Sequence, residues 1–226
     1  LDRRRYTPWF FHYPSGSPLE QMGEMFYRIF LSGRLLPARE GTPLVIVAHS
    51  MGGLILREAL NHLQGRKEEA RIARLLTLAS PLGGHPAVAN SGTGPLAIPS
   101  WRDLDPGSAF IRNLHRRPLP ASMDYHLYYA FGNRGLIRLG ENSDGVVPLR
   151  SQLPPAAQSE ARVQFGFDTT HTGLLHDPAA VGRILSVIRE VHSPYPPAHL
   201  AELDRGGFQA PLGSDYSPEQ AYLIDR

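Results

Sequence analysis

The spacing of apolar and polar positions divides most of the chain into alternating strands and helices. Leu44-Val45-Ile46-Val47 is apolar at every position, the pattern of a strand covered on both faces in a parallel sheet. After Ala48-His49-Ser50-Met51-Gly52-Gly53, the stretch from Leu54 to Leu63 holds good helix formers and no proline, and Gly65 is a natural stop. Upstream, Pro8-Trp9-Phe10-Phe11-His12-Tyr13 reads as an aromatic strand ended by the turn Pro14-Ser15-Gly16. A helix is expected from about Pro18, with Leu19, Met22, Phe26, Ile29 and Phe30 on one face. Gly33 to Gly41 is a connection. Further strands are expected at Arg74 to Ala79, closed by Ser80-Pro81, at Tyr125 to Phe131 and at Arg162 to Phe167. Asp177-Pro178 opens a last helix, with a carboxylate at the N-cap and proline in the first helical position. Val181, Ile184, Leu185, Ile188 and Val191 form its buried stripe. This alternation predicts an α/β fold, a mostly parallel sheet with helices on both faces.

Two stretches break the pattern. From Leu82 to Met123 glycine, serine and proline are frequent, and Pro86, Pro95, Pro99, Pro106, Pro118 and Pro120 interrupt any long element. Only Gly107 to Leu114 has a helical look. Long irregular connections are commonly lids or binding loops, so 82–123 is expected to be a cap inserted after the strand that follows the Ser50 turn. Trp101, Leu96, Ile98, Phe110 and Ile111 are candidates to line a pocket there, with ordinary packing onto the sheet as the alternative. Residues 192–226 are Pro-rich and weakly periodic, a tail that wraps the domain or is disordered. The core is expected over residues 1–191.

Composition narrows the function classes. The 226 residues are 42% apolar and 19% charged, which describes a globular domain with a sizeable core. Formal net charge is +2, Lys67 is the only lysine, and the arginines are scattered, so no nucleic-acid footprint is present. Arg3-Arg4-Arg5 reads as a solvated turn. There is no cysteine, which excludes disulfides, thiol catalysis and thiolate metal sites. No apolar run is long enough to span a bilayer. His171, His176 and Asp177 lack the His-Glu-x-x-His spacing of a zinc helix, and no metal is expected.

Candidate chemistry begins at Ser50. Ala48, Gly52 and Gly53 let strand and helix approach around a strained turn that holds the serine hydroxyl clear of the sheet. Ala48-His49-Ser50-Met51-Gly52-Gly53 resembles the Gly-x-Ser-x-Gly nucleophile elbow of the α/β-hydrolase superfamily, in particular its lipase and esterase branches. Ala48 replaces the first glycine. Without the resemblance, the same residues read as a tight turn with an incidental serine. Thr77, Ser80 and Pro81 fit a Thr-x-x-(Ser/Thr)-Pro run found in similar hydrolases. The resemblance implies that an acid and then a histidine follow the serine in chain order. Asp144, in Asn142-Ser143-Asp144-Gly145-Val146-Val147-Pro148, resembles the acid loop of many lipases, although Asp-Gly is also a common plain turn. Asp124, Asp103, Asp105 and Asp168 rank below it by position. His171, in Thr170-His171-Thr172-Gly173-Leu174-Leu175-His176-Asp177-Pro178, resembles the terminal histidine segment of lipase-like members. His176 is its rival, and His49 reads as a buried structural residue.

The resemblance implies a mechanism and marks one departure. Ser50 would form an acyl-enzyme, His171 would move the proton, and Asp144 would hold the imidazole. The backbone N–H of Met51 would be one oxyanion donor. No His-Gly segment that would carry the second donor precedes Ser50, so that donor is expected upstream of Leu1. The chain starts without methionine and reads as a fragment, expected to be unstable or weakly active alone. The function implied is a serine hydrolase acting on a carboxylic or lipid ester, with peripheral membrane association in keeping with a lipid substrate. Alternatives are an acyltransferase, thioesterase, amidase or inositol-deacylase-like lipase with the same three residues, or a non-catalytic α/β-hydrolase scaffold. No cofactor is implied. The compartment stays open between cytoplasmic and membrane-associated.

Overall fold

The structure is a computed structural model, which describes residues 1–33, 35, 41–66, 71–88, 98–133 and 142–196. Four strands form one sheet in the order β1 (Leu44–His49), β2 (Ile72–Leu78), β3 (Tyr125–Ala130), β4 (Val163–Phe167). Every neighbouring pair is parallel, with Val47 opposite Leu76, Thr77 opposite Leu127, and Tyr128 opposite Phe165. The helices are α1 (Leu19–Phe26), α2 (Met51–Leu63), α3 (Pro99–Leu104), α4 (Ala109–Leu114), α5 (Leu149–Gln152), α6 (Pro155–Glu160) and α7 (Pro178–Arg189). Among the described residues no helix is long and apolar enough to cross a membrane.

Side-chain alternation along the strands separates two cores. On one face Leu76, Leu78, Tyr128, Ala130 and Phe167 pack with Ala180 and Val187 of α7. On the other, Leu75, Thr77 and Tyr125 meet Leu56 and Leu60 of α2, and Thr77 and Tyr125 share a buried hydroxyl–hydroxyl hydrogen bond of 2.8 Å. Burial pushes the Tyr125 phenol above its usual range, the Thr77 hydrogen bond opposing it only in part. The parallel sheet with helices on both faces is therefore as the periodicity predicts. The Asp177 carboxylate accepts the N–H of Ala180 and caps α7 at its start.

Three local readings change. Pro8 to Tyr13 has no regular secondary structure, so among the described residues four strands are formed where five are expected. Residues 1–14 group with the described residues 193–196 as one unit, and the described residues between 15 and 192 form the other. Within the first, Asp2 bonds Arg4, and the rings of Phe11 and Tyr13 stack at 5.3 Å. Second, β1, read as covered on both faces, has β2 as its one neighbour among the described strands. Val47 is 42% exposed, because the α7 core reaches the β1 face only as far as Val45. Third, α1 runs into a π-helical stretch, Tyr27–Leu31, which shifts the period and buries Leu31 in place of Phe30. Leu96 and most of the tail lie outside the described residues.

A buried ionic cluster fastens the excursion between β2 and β3 to α2. Arg57, seven residues past Ser50, bonds both carboxylate oxygens of Glu160, at 2.7 and 3.1 Å. Its guanidinium also reaches Asn61 and the carbonyl of Arg117. Asn61 in turn donates to Glu58 and to the carbonyl of Leu114. Glu160 completes its set with His115 and the N–H of Leu119. Burial opposes ionisation of Glu160, but hydrogen bonds from His115 and Arg57 outweigh it and hold the carboxyl below its ordinary value.

Removing one partner of a buried pair leaves the other charge uncompensated. Arg57→Met is expected to lower unfolding free energy by about 3–5 kcal/mol in a urea titration. A carboxyl with a lowered folded pKa contributes stability that is complete above its unfolded value and lost as pH falls through the folded one. Unfolding midpoints should therefore decline below the ordinary glutamate value of 4.5, and that acid-side slope should shrink in Glu160→Gln.

Candidate active site

Ser50 joins β1 to α2 with φ 54° and ψ −130°. Among the described residues only Ser50 and Ala79 are non-glycines at positive φ. A conformation of this kind costs on the order of 1–3 kcal/mol and persists where neighbours over-determine it. Here the Ser50 N–H donates to the carbonyl of Leu78, and the Ser50 carbonyl accepts the N–H of Gly53, at 2.9 and 3.0 Å. The strand β2 leaves through Ala79, at φ 47°, into Ser80. A Cβ on Gly53 would lie 2.1 Å from Ser80 Oγ, so only glycine allows α2 to start this close to β2. Met51 opens α2, and the first N–H groups of an α-helix have no intrahelical acceptor.

The strand order brings the later segments to this joint. His171 follows β4, and its ring is placed by both nitrogens. Nδ1–H donates to Asp144 Oδ2 at 2.7 Å, and Nε2 lies 2.9 Å from Ser50 Oγ. With its proton on Nδ1, the ring offers the Nε2 lone pair to the serine hydroxyl. The His171 N–H also donates to the carbonyl of Asp144. Asp144 is fully buried. Its Oδ1 accepts the N–H groups of Val146 and Val147 at 2.9 and 2.7 Å. Gly145, at φ 93°, makes that turn back possible.

Two contributors go beyond the sequence reading: Gln152 gave no signal there, and His49, read as a buried structural residue, is half-buried. The buried amide of Gln152, on α5, donates to Asp144 Oδ2 at 3.2 Å and to the carbonyl of Val147. It is fixed by Ala130 at the end of β3, accepting its N–H and donating to its carbonyl. No motif distinguishes Gln152, since its partner is β3 backbone. His49 places Nε2 3.0 Å from the carbonyl of His171.

The rival residues are engaged elsewhere. Asp124 precedes β3 and pairs with Arg74 at 2.6 Å and with His126. Asp103 accepts the N–H of Leu19, and Asp105 that of Gly107. Asp168 and His176 are exposed. Of the sequence candidates, the structure brings Ser50, His171 and Asp144 into one hydrogen-bonded chain, with Met51 next to the serine. A buried carboxylate, an oriented imidazole and a serine hydroxyl in this order can raise the nucleophilicity of the hydroxyl.

Comparison with known proteins agrees with this architecture. Residues 34–93, which include Ser50, match the family model described as lecithin:cholesterol acyltransferase. A search of curated proteins gave no significant match. Among solved structures, the product of the gene lin2722 from Listeria innocua is similar over 79% of this chain and 69% of its own, at 16% identity and a TM-score of 0.53. The mature lipase BlEst2 of Bacillus licheniformis is similar over 74% of this chain and 75% of its own, at 17% identity and a TM-score of 0.49. Phospholipase PlaB of Legionella pneumophila is similar at 19% identity and a TM-score of 0.48, and this chain spans 34% of its length. The chain has an α/β-hydrolase fold.

In an α/β-hydrolase sheet, functional loops gather beyond the carboxyl ends of the strands. Ser50 follows β1, Asp144 comes after β3 and His171 after β4, so one end of the sheet supplies all three. Gly53→Ala tests the tightness of the joint. Its Cβ meets Ser80 Oγ and Cβ at 2.1 and 2.5 Å, and overpacking of this kind costs about 1–3 kcal/mol or more. Thermal unfolding of Gly53→Ala beside Ser80→Gly and the double variant should show the double variant recovering most of the loss.

Proposed function

We propose that the chain is a serine hydrolase of carboxylic or lipid esters, working through an acyl-enzyme on Ser50. The observation that carries this reading is the pair of contacts at His171: 2.9 Å to Ser50 Oγ and 2.7 Å to a buried Asp144 carboxylate. The fold and the acyltransferase-family match across Ser50 support it.

The chemistry follows from the geometry. As Ser50 Oγ attacks the ester carbonyl, His171 Nε2 takes the hydroxyl proton. Asp144 stays ionised and stabilises the imidazolium through Nδ1–H. Negative charge gathers on the former carbonyl oxygen. In this scheme the N–H of Met51, in the first turn of α2 at the positive end of its dipole, receives it. The imidazolium then protonates the leaving alkoxide, and water repeats the sequence to release the acid. No metal or organic cofactor enters this scheme. Within this proposal the described parts of the excursion, 82–88 and 98–123, serve as a cap for the serine. The exposed Ile98 and Trp101 support that role, as does His85, whose Nε2 bonds the carbonyl of Val146 in the Asp144 loop.

A second reading replaces water by an alcohol acceptor, which gives acyl transfer. It is favoured by the description of the matched family. Both use the same acyl-enzyme, and partitioning between water and added alcohol separates them.

An alkyl fluorophosphonate probe tests the shared step. The wild type should label, and Ser50→Ala should not. His171→Ala should label at least about 10³-fold more slowly, because the members of such a set act as a unit. Labelling that survives Ser50→Ala would assign the nucleophile elsewhere.

A further inference from the structure

We infer that His49 is a positioning residue for the base, holding the His171 main chain through a hydrogen bond from its imidazole. The inference rests on the Ser50–His171–Asp144 reading above and adds a fourth side chain to it.

His49 is the last residue of β1, directly before Ser50, and pairs with Leu78 in the parallel ladder. Its Nε2 lies 3.0 Å from the carbonyl oxygen of His171. A carbonyl only accepts, so Nε2 carries the proton and donates it. The two rings approach to 4.7 Å between centroids, tilted by 43°. The groups acting on His49 are His171 and Asp144. Burial lowers its pKa, and the His171 ring works in the same direction, against the His171 carbonyl and Asp144, which favour protonation. Above the ordinary histidine value of 6.5, His49 is thus a neutral imidazole with its proton on Nε2.

The His171 main chain is held through both of its polar groups. Its N–H donates to the Asp144 carbonyl, and its C=O accepts from His49. The first bond ties the base to the acid loop. The second ties it to the strand that carries the nucleophile, so the separation of Ser50 Oγ and His171 Nε2 is set through a rigid element. Neutrality has its own consequence. During acyl transfer His171 becomes an imidazolium, and a second cation at this spacing would oppose it. A neutral donor fixes the loop without opposing the charge that must form. Aliphatic or aromatic residues at position 49 would keep the packing and lose the grip.

The test is fluorophosphonate labelling kinetics on the full chain, resolved into maximal rate and half-saturating probe concentration, with thermal unfolding measured for each variant. His49→Phe and His49→Met remove the donor, and His49→Gln supplies an amide N–H at similar reach. The two donor-less variants should lose about 10- to 100-fold in maximal rate, because an ångström of misplacement in a reacting pair costs up to about 10²-fold. Half-saturation and melting temperature should change little, and His49→Gln should regain most of the rate. If His49→Phe does not fold, the comparison of Met with Gln decides. Equal rates in wild type and the donor-less variants would overturn the proposal. So would Gln as slow as Met at unchanged stability. A folded wild type that does not label, like Ser50→Ala, would remove the underlying reading and this inference with it.

Discussion

Ser50 keeps a positive φ because its own peptide groups are bonded on both sides, to Leu78 on the neighbouring strand and to Gly53 in the first turn of the helix. That constraint organises the rest of the site. It needs β2 beside β1 in parallel register, so that Leu78 ends opposite His49. It needs a residue without a side chain at 53, where α2 crosses Ser80. And it needs the later strands to extend the sheet in chain order, so that the loops after β3 and β4 arrive at the same end. Local strain and global topology are here a single requirement.

What the sequence showed was what local chemistry determines. The joint at Ser50 was legible because strand, small residues and helix are contiguous. Asp144 and His171 were legible through their place after particular strands, given the resemblance, and the structure puts them in one hydrogen-bonded chain. The capped start of α7 was written in Asp177-Pro178. Four strands fall within a residue or two of their expected ends.

What was missed depends on neighbours distant in sequence. The apolar run Leu44 to Val47 suggested cover on both faces, yet Val47 is 42% exposed, because the packing of α7 reaches β1 only at Val45. The aromatic run Pro8 to Tyr13 has high β-propensity, but a strand exists only with a ladder. Gln152 and Arg57 gave no signal because their partners are a strand terminus and a carboxylate more than a hundred residues away in one case. The short helices α3, α5 and α6 each start beside a proline, at Pro99, Pro148 and Pro155, in stretches that read as loop.

The order of parts along the chain has a consequence during synthesis. Ser50 lies 121 residues before the histidine it contacts. A nascent chain that has emerged through α2 and β2 already contains the serine turn, but neither Asp144 nor His171 has yet been made. Contacts of such separation form late, after the loop-closure entropy has been overcome. The Ser50 hydroxyl can therefore gain its hydrogen bond to His171 only after β4 and the loop that follows it have been made. A chain that stops before residue 171 leaves the Ser50 turn without this partner.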